Sequence, residues 1–204
     1  MVAVTYDPNM TMREARETYF RENGFGEDGG YGDTWVDFKL GPVPFPFPNL
    51  PSRVKALQFH DLHHILTGYD TNTSGELEIS AWEIGAGCWD YPAALFLNLG
   101  GLAGGVLVTP RKTFRAFLRG RRTGSLYGRD VAPILDRSVS EMRREMNVDA
   151  AMPPARAADY AAFAAAFVAG LTSGTLFLAV GAVLAPIALA AGLVRKKPAA
   201  PARA

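Results

Sequence analysis

One uncharged stretch, residues 160–194, limits the folds open to this chain more than any other feature. Its length of about 35 residues exceeds the roughly 20 that an apolar helix needs to cross a bilayer, so it predicts a membrane segment. Glycines in residues 170–174 could break the helix and Pro186 could kink it, which leaves two topologies open. A single tilted crossing with the basic residues 195–197 in the cytoplasm would put the rest of the chain outside. A helical hairpin would keep both ends on one side.

The rest of the 204-residue chain divides by composition. Residues 1–51 are rich in Gly, Pro and Phe and predict an irregular segment, whereas residues 52–148 show helical patterning. Residues 149–157 are a linker, residues 158–197 the membrane segment, and the Ala-Pro tail 198–204 is predicted to be disordered. The predicted fold class is therefore all-α, with a compact multi-helix domain followed by a C-terminal hydrophobic helix or helical hairpin.

Charge and cysteine content narrow the cellular setting. Lys plus Arg (21) nearly balances Asp plus Glu (20), so net charge does not argue for nucleic acid. The one cysteine, Cys88, excludes an internal disulfide and suits a reducing compartment. For this reason, and for the functional reasons below, we favour the hairpin, which places the helical domain in the cytoplasm beside a bacterial inner membrane or its equivalent.

The leading segment combines a short helix with a proline-aromatic run. Helical spacing of apolar residues predicts a helix over residues 11–22. In residues 42–48, proline alternates with Phe45 and Phe47, which excludes a helix or a central strand. We expect an extended segment that inserts its phenylalanines against the helical body. The alternative is a proline-rich ligand for a partner module.

Helical patterning continues from residue 52. Residues 54–66 predict a helix that ends at Gly68, with the histidines on a different face from its apolar stripe. A second helix should begin with Thr73 or Ser74 as N-cap and Glu76 in its first turn. The stripe of the first helix comprises Val54, Leu57, Leu62, Ile65 and Leu66.

Three further segments complete the domain. A helix from Pro92 carries no charge through residue 108, but it is too short to span a bilayer and predicts a core helix. Residues 111–122 are basic and aromatic and fit an amphipathic segment on anionic lipid, a solvated face or, with no accompanying readout motif, nucleic acid as the weakest alternative. Residues 130–146 predict one amphipathic helix.

All three histidines of the chain fall within residues 60–64, next to an acidic residue. On a helix His60 and His64 point the same way, and Asp61 borders that face. With Glu76 from the next helix, these four side chains predict a divalent-metal site with nitrogen and oxygen ligands. His63 points away and is predicted to be a neighbour. The alternative is that the histidines simply face water.

Two other metal-site families fit the pattern less well. Membrane di-iron desaturases also contain clustered histidines, but they need several such boxes and this chain has three histidines in all. A His-Glu-x-x-His metalloprotease is excluded because aspartate follows His60 and no third ligand stands at the usual spacing.

The motif His60-Asp61-x-x-His64, followed after eleven residues by Glu76, resembles the signature of the coenzyme Q biosynthesis protein four family. Residues 66–71, and the run from Phe117 through residues 142–146, are also similar to that family. The resemblance covers roughly residues 50–148. Members typically associate with membranes peripherally, so the C-terminal apolar segment is a departure from the family.

The resemblance implies an all-helical fold and a divalent metal, usually zinc, held by His60, Asp61, His64 and Glu76. It also implies a role in ubiquinone assembly, either in organising the other enzymes or in removing and replacing the carboxyl group at C1 of the polyprenylated ring. The site residues would then act through the metal, as in a decarboxylase. Two competing functions are a lipid-binding membrane scaffold with a structural metal and a different membrane hydrolase or lyase.

The implied partners follow from the same reasoning. They are a polyprenylated quinone precursor or another isoprenoid lipid, the membrane, other ubiquinone-biosynthesis proteins and a second copy of the chain as a homodimer. Nucleic acid is not among them.

Overall fold

The computed structural model describes residues 6–40 and 43–191, and this part of the chain is mainly helical, as predicted. Four two-residue strands lie in the leading segment: β1 (Trp35–Val36), β2 (Lys39–Leu40), β3 (Val43–Pro44) and β4 (Phe47–Pro48). The helices are α1 (Met12–Asn23), α2 (Pro51–Thr67), α3 (Thr73–Ala86), α4 (Pro92–Val108), α5 (Pro110–Gly120), α6 (Val131–Leu135), α7 (Val139–Glu145) and α8 (Ala157–Ala190).

Local signals explain where α1 and α2 begin and end. Thr11 and Glu14 form a reciprocal capping box that starts α1, which buries Met12, Ala15 and Tyr19 at the predicted spacing. Pro51 opens α2, where a missing N–H costs nothing. Gly68 ends α2 with a left-handed backbone (φ 75°), as its position predicts. Both helices belong to the main hydrophobic core.

The face of α2 outside the predicted apolar stripe is also buried. Asp61 and His64 are 4% and 2% exposed and His63 is completely buried. The stripe itself is less enclosed at its beginning, because Val54 and Leu57 are only half-buried. The C-terminal half of α2 is therefore covered on all sides, which periodicity alone does not predict.

The proline-aromatic segment folds back along the molecule instead of continuing a sheet. β1 pairs with β4 and β2 with β3, both antiparallel and only two residues long. Phe38, Phe45 and Phe47 surround Phe177 of α8, with ring centroids 5.9, 5.5 and 5.4 Å from the Phe177 ring. The expected insertion of the phenylalanines is therefore present. Residues 41–42, which include Pro42, lie outside the described part.

Close backbone contacts join α3 to α5. A Cβ atom on Gly120 of α5 would lie 2.1 Å from the carbonyl oxygen of Trp82, so only glycine permits this approach. A Cβ on Gly85 of α3 would likewise lie 2.3 Å from the carbonyl oxygen of Phe117. These glycine contacts fix α3 against α5, which belongs to the basic segment. Helix α4 also packs against α3.

The single helix predicted for residues 130–146 is wrong, because the chain forms α6 and α7 with a break between them. Ser138 accepts a hydrogen bond from the backbone N–H of Glu141, and the Glu141 carboxylate accepts one from the Ser138 N–H. This capping box starts a new helix at that point. The apolar side predicted for this helix also includes Val131, which is half-buried. Its other members are buried: Ile134, Leu135, Val139, Met142 and Met146.

The basic segment forms α5 and the turn after it, and only part of it is available to a ligand. Arg121 and Arg122 pair with the buried Asp159 carboxylate at the beginning of α8, at 2.7 and 2.6 Å. Arg119 donates to the backbone carbonyls of Thr67 and Val148. The exposed cations of α5 are Arg111, Lys112 and Arg115.

A single helix, α8, occupies the predicted membrane segment as far as Ala190, so the favoured hairpin is wrong over these residues. Gly170 and Gly174 do not break it, and Pro186 lies within it. Within the described residues, α8 is the one helix long and apolar enough to cross a membrane. The basic residues 195–197 and the tail 198–204 lie outside the described part.

Candidate metal centre

Two adjacent helices bring the candidate ligands together. His60 and His64 lie one turn apart on α2, and Glu76 lies in the first turn of α3. The turn between them is tight, because a Cβ on Gly75 would lie 1.9 Å from the carbonyl oxygen of Asp70. The N-cap of α3 is Asn72, not Thr73 or Ser74 as predicted, and its side chain accepts from the Gly75 N–H. This local geometry directs Glu76 towards α2.

The three donor groups are spaced as ligands of one ion would be. The Nε2 atoms of His60 and His64 are 3.2 Å apart. Glu76 places Oε2 3.5 Å from His60 Nε2 and Oε1 3.4 Å from His64 Nε2. Nitrogen and oxygen ligands about 2.0–2.1 Å from a tetrahedral zinc ion are separated by roughly 3.3–3.4 Å. The donor set therefore fits a zinc-sized ion.

Hydrogen bonds hold both imidazoles in the orientation that metal binding requires. His64 Nδ1 is 2.9 Å from the carbonyl oxygen of Tyr69, which can only accept, so His64 Nδ1 carries the proton. His60 Nδ1 lies 3.2 Å from Oε1 of Glu83. In both rings Nε2 then faces the centre, as in metal-ligating histidines generally. Burial acts to lower the pKa of His60, but Glu83 and Glu76 outweigh it and raise the pKa well above its usual value, so a metal would displace a proton from this ring.

The centre is enclosed on one side and open on the other. The His64 side chain is 1% exposed and stacks on Tyr19, with ring centroids 5.6 Å apart. The Glu76 side chain is 44% exposed. Partial shielding of the Glu76 carboxyl from water favours a raised pKa, but His64 and His60 outweigh this effect and hold the pKa at about 2. Three protein ligands and an open position are typical of catalytic metal sites, while structural sites are closed.

Space beside the centre is limited. A cavity of about 20 Å³, open to solvent, adjoins His64 and is lined by Tyr6, Tyr19, Asn23 and Tyr69 among others. Binding pockets for drug-sized ligands are roughly 300–1,000 Å³. A long isoprenoid tail does not fit there, so a tailed ligand would have to keep its tail outside this cavity.

The fourth predicted ligand, Asp61, is not among the residues that converge. One ligand atom each from His60, His64 and Glu76 lies within 4.8 Å of the other two, so these residues could hold one ion. Asp61 is outside this group. Its Oδ2 accepts a 2.7 Å hydrogen bond from the Tyr31 hydroxyl. Burial raises the pKa of Asp61 to about 6, although His60 and the Tyr31 bond act to lower it. Asp61 thus borders the centre, engaged by a residue of the leading segment.

His63 is outside the ligand group, as its helical position predicts, and belongs to a buried network. Its Nε2 accepts from the backbone N–H of Leu126 at 2.9 Å, so Nδ1 carries the proton and donates to Oε1 of Glu83 at 2.6 Å. Burial lowers the pKa of His63, which favours this neutral ring. Oε2 of Glu83 accepts from Tyr127 at 2.9 Å and from Asn98.

Sequence reasoning missed Glu83 as a functional residue, although a signal was present. Glu83 stands seven positions after Glu76, which places both carboxylates on the same face of α3. Asn98 is likewise the one strongly polar side chain within the otherwise apolar α4. No comparable signal marks Tyr127. The Glu83 carboxylate is completely buried and accepts from two helices and a loop.

Comparison of the chain with protein-family models, curated proteins and solved structures finds no significant match. The resemblance to the coenzyme Q biosynthesis protein four family is therefore still a prediction from the motif.

Proposed function

We propose that this chain is a membrane-associated, metal-dependent protein of ubiquinone biosynthesis that acts on polyprenylated benzoquinone precursors. The observation that carries the proposal is the convergence of His60, His64 and Glu76 at the family's motif spacing, with the open side at Glu76. The proposed metal is zinc, which fits the nitrogen and oxygen donors and their spacing. Asp61 is proposed to support the site from beside these ligands.

The proposed reaction is removal of the ring carboxyl group at C1. The bond between C1 and the carboxyl carbon breaks, carbon dioxide leaves, the electron pair stays on the ring and a proton takes the vacated position. A divalent metal at this site would supply Lewis-acid polarisation of a carboxylate or phenolate oxygen. Replacement of the carboxyl by a hydroxyl would additionally consume an oxidant such as dioxygen.

The protein's own groups would hold and orient the reacting ring. His60 and His64 are kept in one tautomer each by Glu83 and by the Tyr69 carbonyl. The open position beside Glu76 would admit the head group, while the length of α8 suits a lipid environment for the tail. We propose a location at a bacterial inner membrane or its equivalent, with other ubiquinone-biosynthesis proteins or a second copy as partners. Because α8 is one helix and not a hairpin, a crossing with residues 195–197 in the cytoplasm would place the helical domain on the opposite side.

A lipid-binding scaffold with a structural metal is the second candidate function. The small cavity beside His64 favours it, because a tailed substrate cannot be enclosed there. In this case the metal would stabilise the packing of α2 on α3, and the chain would organise other enzymes at the membrane.

Metal analysis together with quinone profiling tests the proposal. The full-length wild type, His64→Ala and the control Glu78→Gln would be purified for metal content and expressed in a deletion strain. Glu78 is half-buried on α3, pairs with the exposed Lys112 and lies outside the ligand group, so its variant should behave as wild type. We expect His64→Ala to lose both metal and quinone production. Accumulation of a carboxylated precursor would indicate the enzyme, whereas normal quinone in the metal-free variant would exclude metal-dependent function.

A further inference from the structure

The exposed apolar side chains of this protein are segregated along the chain. In residues 6–40 and 43–191, every exposed large hydrophobic side chain except Trp89 and Met152 lies in one of three uncharged stretches. These stretches are residues 43–52, helix α4 and residues 160–191. The side chains concerned are Val43, Leu50, Leu107, Val108, Tyr160, Val168, Leu171, Leu176, Leu178, Val180, Val183, Ile187 and Leu189. Chance scattering over a water-exposed surface would not produce this arrangement.

Helix α8 packs against each of the other two stretches, although all three are far apart in sequence. Phe45 of the first stretch lies on Phe177 and covers Gly181 of α8, where an added Cβ would overlap its ring. Ser173 of α8 donates to the carbonyl oxygen of Phe96 on α4. A Cβ on Gly170 would lie 2.3 Å from the Leu99 carbonyl oxygen, so the two helix backbones touch. Small residues at such a contact are typical of helix pairs in membranes.

Positive charge borders this apolar region at one end. Leu107 and Val108, which are 72% and 66% exposed, end α4. The first two turns of α5 follow directly and carry three exposed cations, Arg111, Lys112 and Arg115. Exposed apolar side chains next to Lys and Arg match the boundary between acyl chains and anionic headgroups.

We infer that these three stretches form one lipid-facing surface and that it contacts an anionic bilayer as a unit. On this inference α8 is not the sole contact, because the proline-aromatic segment and the end of α4 enter the lipid boundary beside it. A protein partner fits less well, since a surface built around a bilayer-length uncharged helix with a cationic border matches lipid on both counts. The inference rests on the membrane location in the proposed function, but not on the metal chemistry.

The surface also lies beside the helix that carries the histidines. Phe47 contacts Phe177 of α8, and the Arg53 guanidinium of α2 stacks over the Phe47 ring at 5.6 Å. The α2 helix therefore begins at the edge of the lipid-facing surface. A tailed precursor could keep its tail in the bilayer while its ring approaches the site, which agrees with the small size of the cavity beside His64.

Site-specific labelling of the full chain in vesicles tests this surface. An environment-sensitive fluorophore would be attached to Val43→Cys, Leu107→Cys or Val183→Cys, and to Glu17→Cys as the control on α1. Glu17 is exposed, and α1 packs on α2 and α6, away from the three stretches. The wild type, whose one cysteine Cys88 is buried, gives the labelling background. The vesicles would contain phosphatidylglycerol and lipids carrying a nitroxide quencher.

We expect loss of fluorescence at positions 43, 107 and 183 but not at 17, with or without a chelator. Arg111→Glu combined with Lys112→Glu should reduce the quenching at position 107 and leave that at 183 unchanged. Quenching at 183 alone would overturn the composite surface while keeping a membrane location. Absence of quenching at 183 would remove the membrane location as well, and would point to coverage by protein.

Discussion

The α2–α3 pair and the α4–α8 pair depart from ordinary globular composition in opposite directions. In the first pair, Asp61, His63, His64 and Glu83 are almost or completely buried. In the second, α8 leaves most of its apolar side chains exposed. Globular proteins rarely do either without a reason, because buried charge and a large exposed apolar face both cost free energy in water.

The two departures are compensated by different means. Each buried titratable group of α2 and α3 has a partner, whether Glu83 for His63, Tyr31 for Asp61 or the Tyr69 carbonyl for His64. The exposed face of α8 has no such compensation within the described residues, and we propose that a lipid environment supplies it. The polar pair therefore holds residues that could bind a metal ion, whereas the apolar pair exposes a face that would suit a lipid environment.

The variant His60→Ala should affect the α2–α3 pair strongly and leave the α4–α8 pair unchanged. His60→Ala removes one of three proposed metal ligands and leaves Glu83 with one histidine fewer, so we expect metal binding by the purified protein to be lost. Vesicle association should be unchanged because His60 lies in none of the three stretches of the proposed lipid-facing surface and is about two turns beyond Ser52, where the first stretch ends. Metal content and vesicle flotation measure the two outcomes; joint loss would show that the pairs do not act independently.

Glu83→Gln should have the next largest effect on metal binding. It tests whether the buried Glu83 carboxylate orients His60 for the metal. Substituting a residue that orients a metal-ligating histidine typically lowers metal affinity about 10–100-fold. Glutamine keeps the shape of the side chain but places an N–H₂ where His60 and His63 now donate, so we expect weaker metal binding in a folded protein. Titration of this variant and of the control Glu78→Gln with zinc measures the change in affinity. Unchanged affinity would mean that Glu83 only supports packing.

The convergence of His60, His64 and Glu76 was predictable because it depends on short-range geometry. Helical spacing fixes the two histidines, and a short turn with Gly68 and Gly75 fixes where α3 starts. Asp61 was predicted as a ligand from the same spacing. Its actual partner, Tyr31, lies 30 residues earlier in an irregular segment, and no local pattern predicts such a long-range contact.

The two wrong predictions about helices have different causes. The break between α6 and α7 was readable, because Ser138 and Glu141 have the spacing of a capping box. The hairpin was favoured because the single cysteine and the functional argument pointed to the cytoplasm, and the glycines at 170–174 offered a possible break. In the structure Gly170 and Gly174 lie against α4, so these residues serve close packing and not chain reversal. Packing partners decide between these two roles of glycine, and periodicity does not show them.

A smaller effect tests whether the apolar pair is a packed unit. In Gly170→Leu the new side chain would meet the Leu99 carbonyl and the Ala103 side chain, so α8 should shift away from α4. Overpacking of this kind costs about 1–3 kcal/mol. Ala169→Leu on the exposed side is the matched control. We expect faster amide exchange in α4 for Gly170→Leu only, with zinc affinity near that of wild type. A large loss of zinc affinity would show that a shift of α4 disturbs Asn98 and, through it, Glu83.

The variant Ser138→Ala should have a small effect on stability alone, and it shows whether general weakening of the fold changes zinc affinity. Ser138→Ala removes the N-cap of α7, which should lower the free energy of unfolding by about 1 kcal/mol, as loss of such a cap usually does. Ser52→Ala, at an exposed position in α2, should leave the unfolding free energy near that of wild type. Because Ser138 touches neither the histidines nor α8, zinc affinity and vesicle association should both stay constant while thermal stability falls. If zinc affinity fell together with stability in this variant, the losses expected for Glu83→Gln would no longer report on the orientation of His60, since general weakening of the fold would explain them equally well.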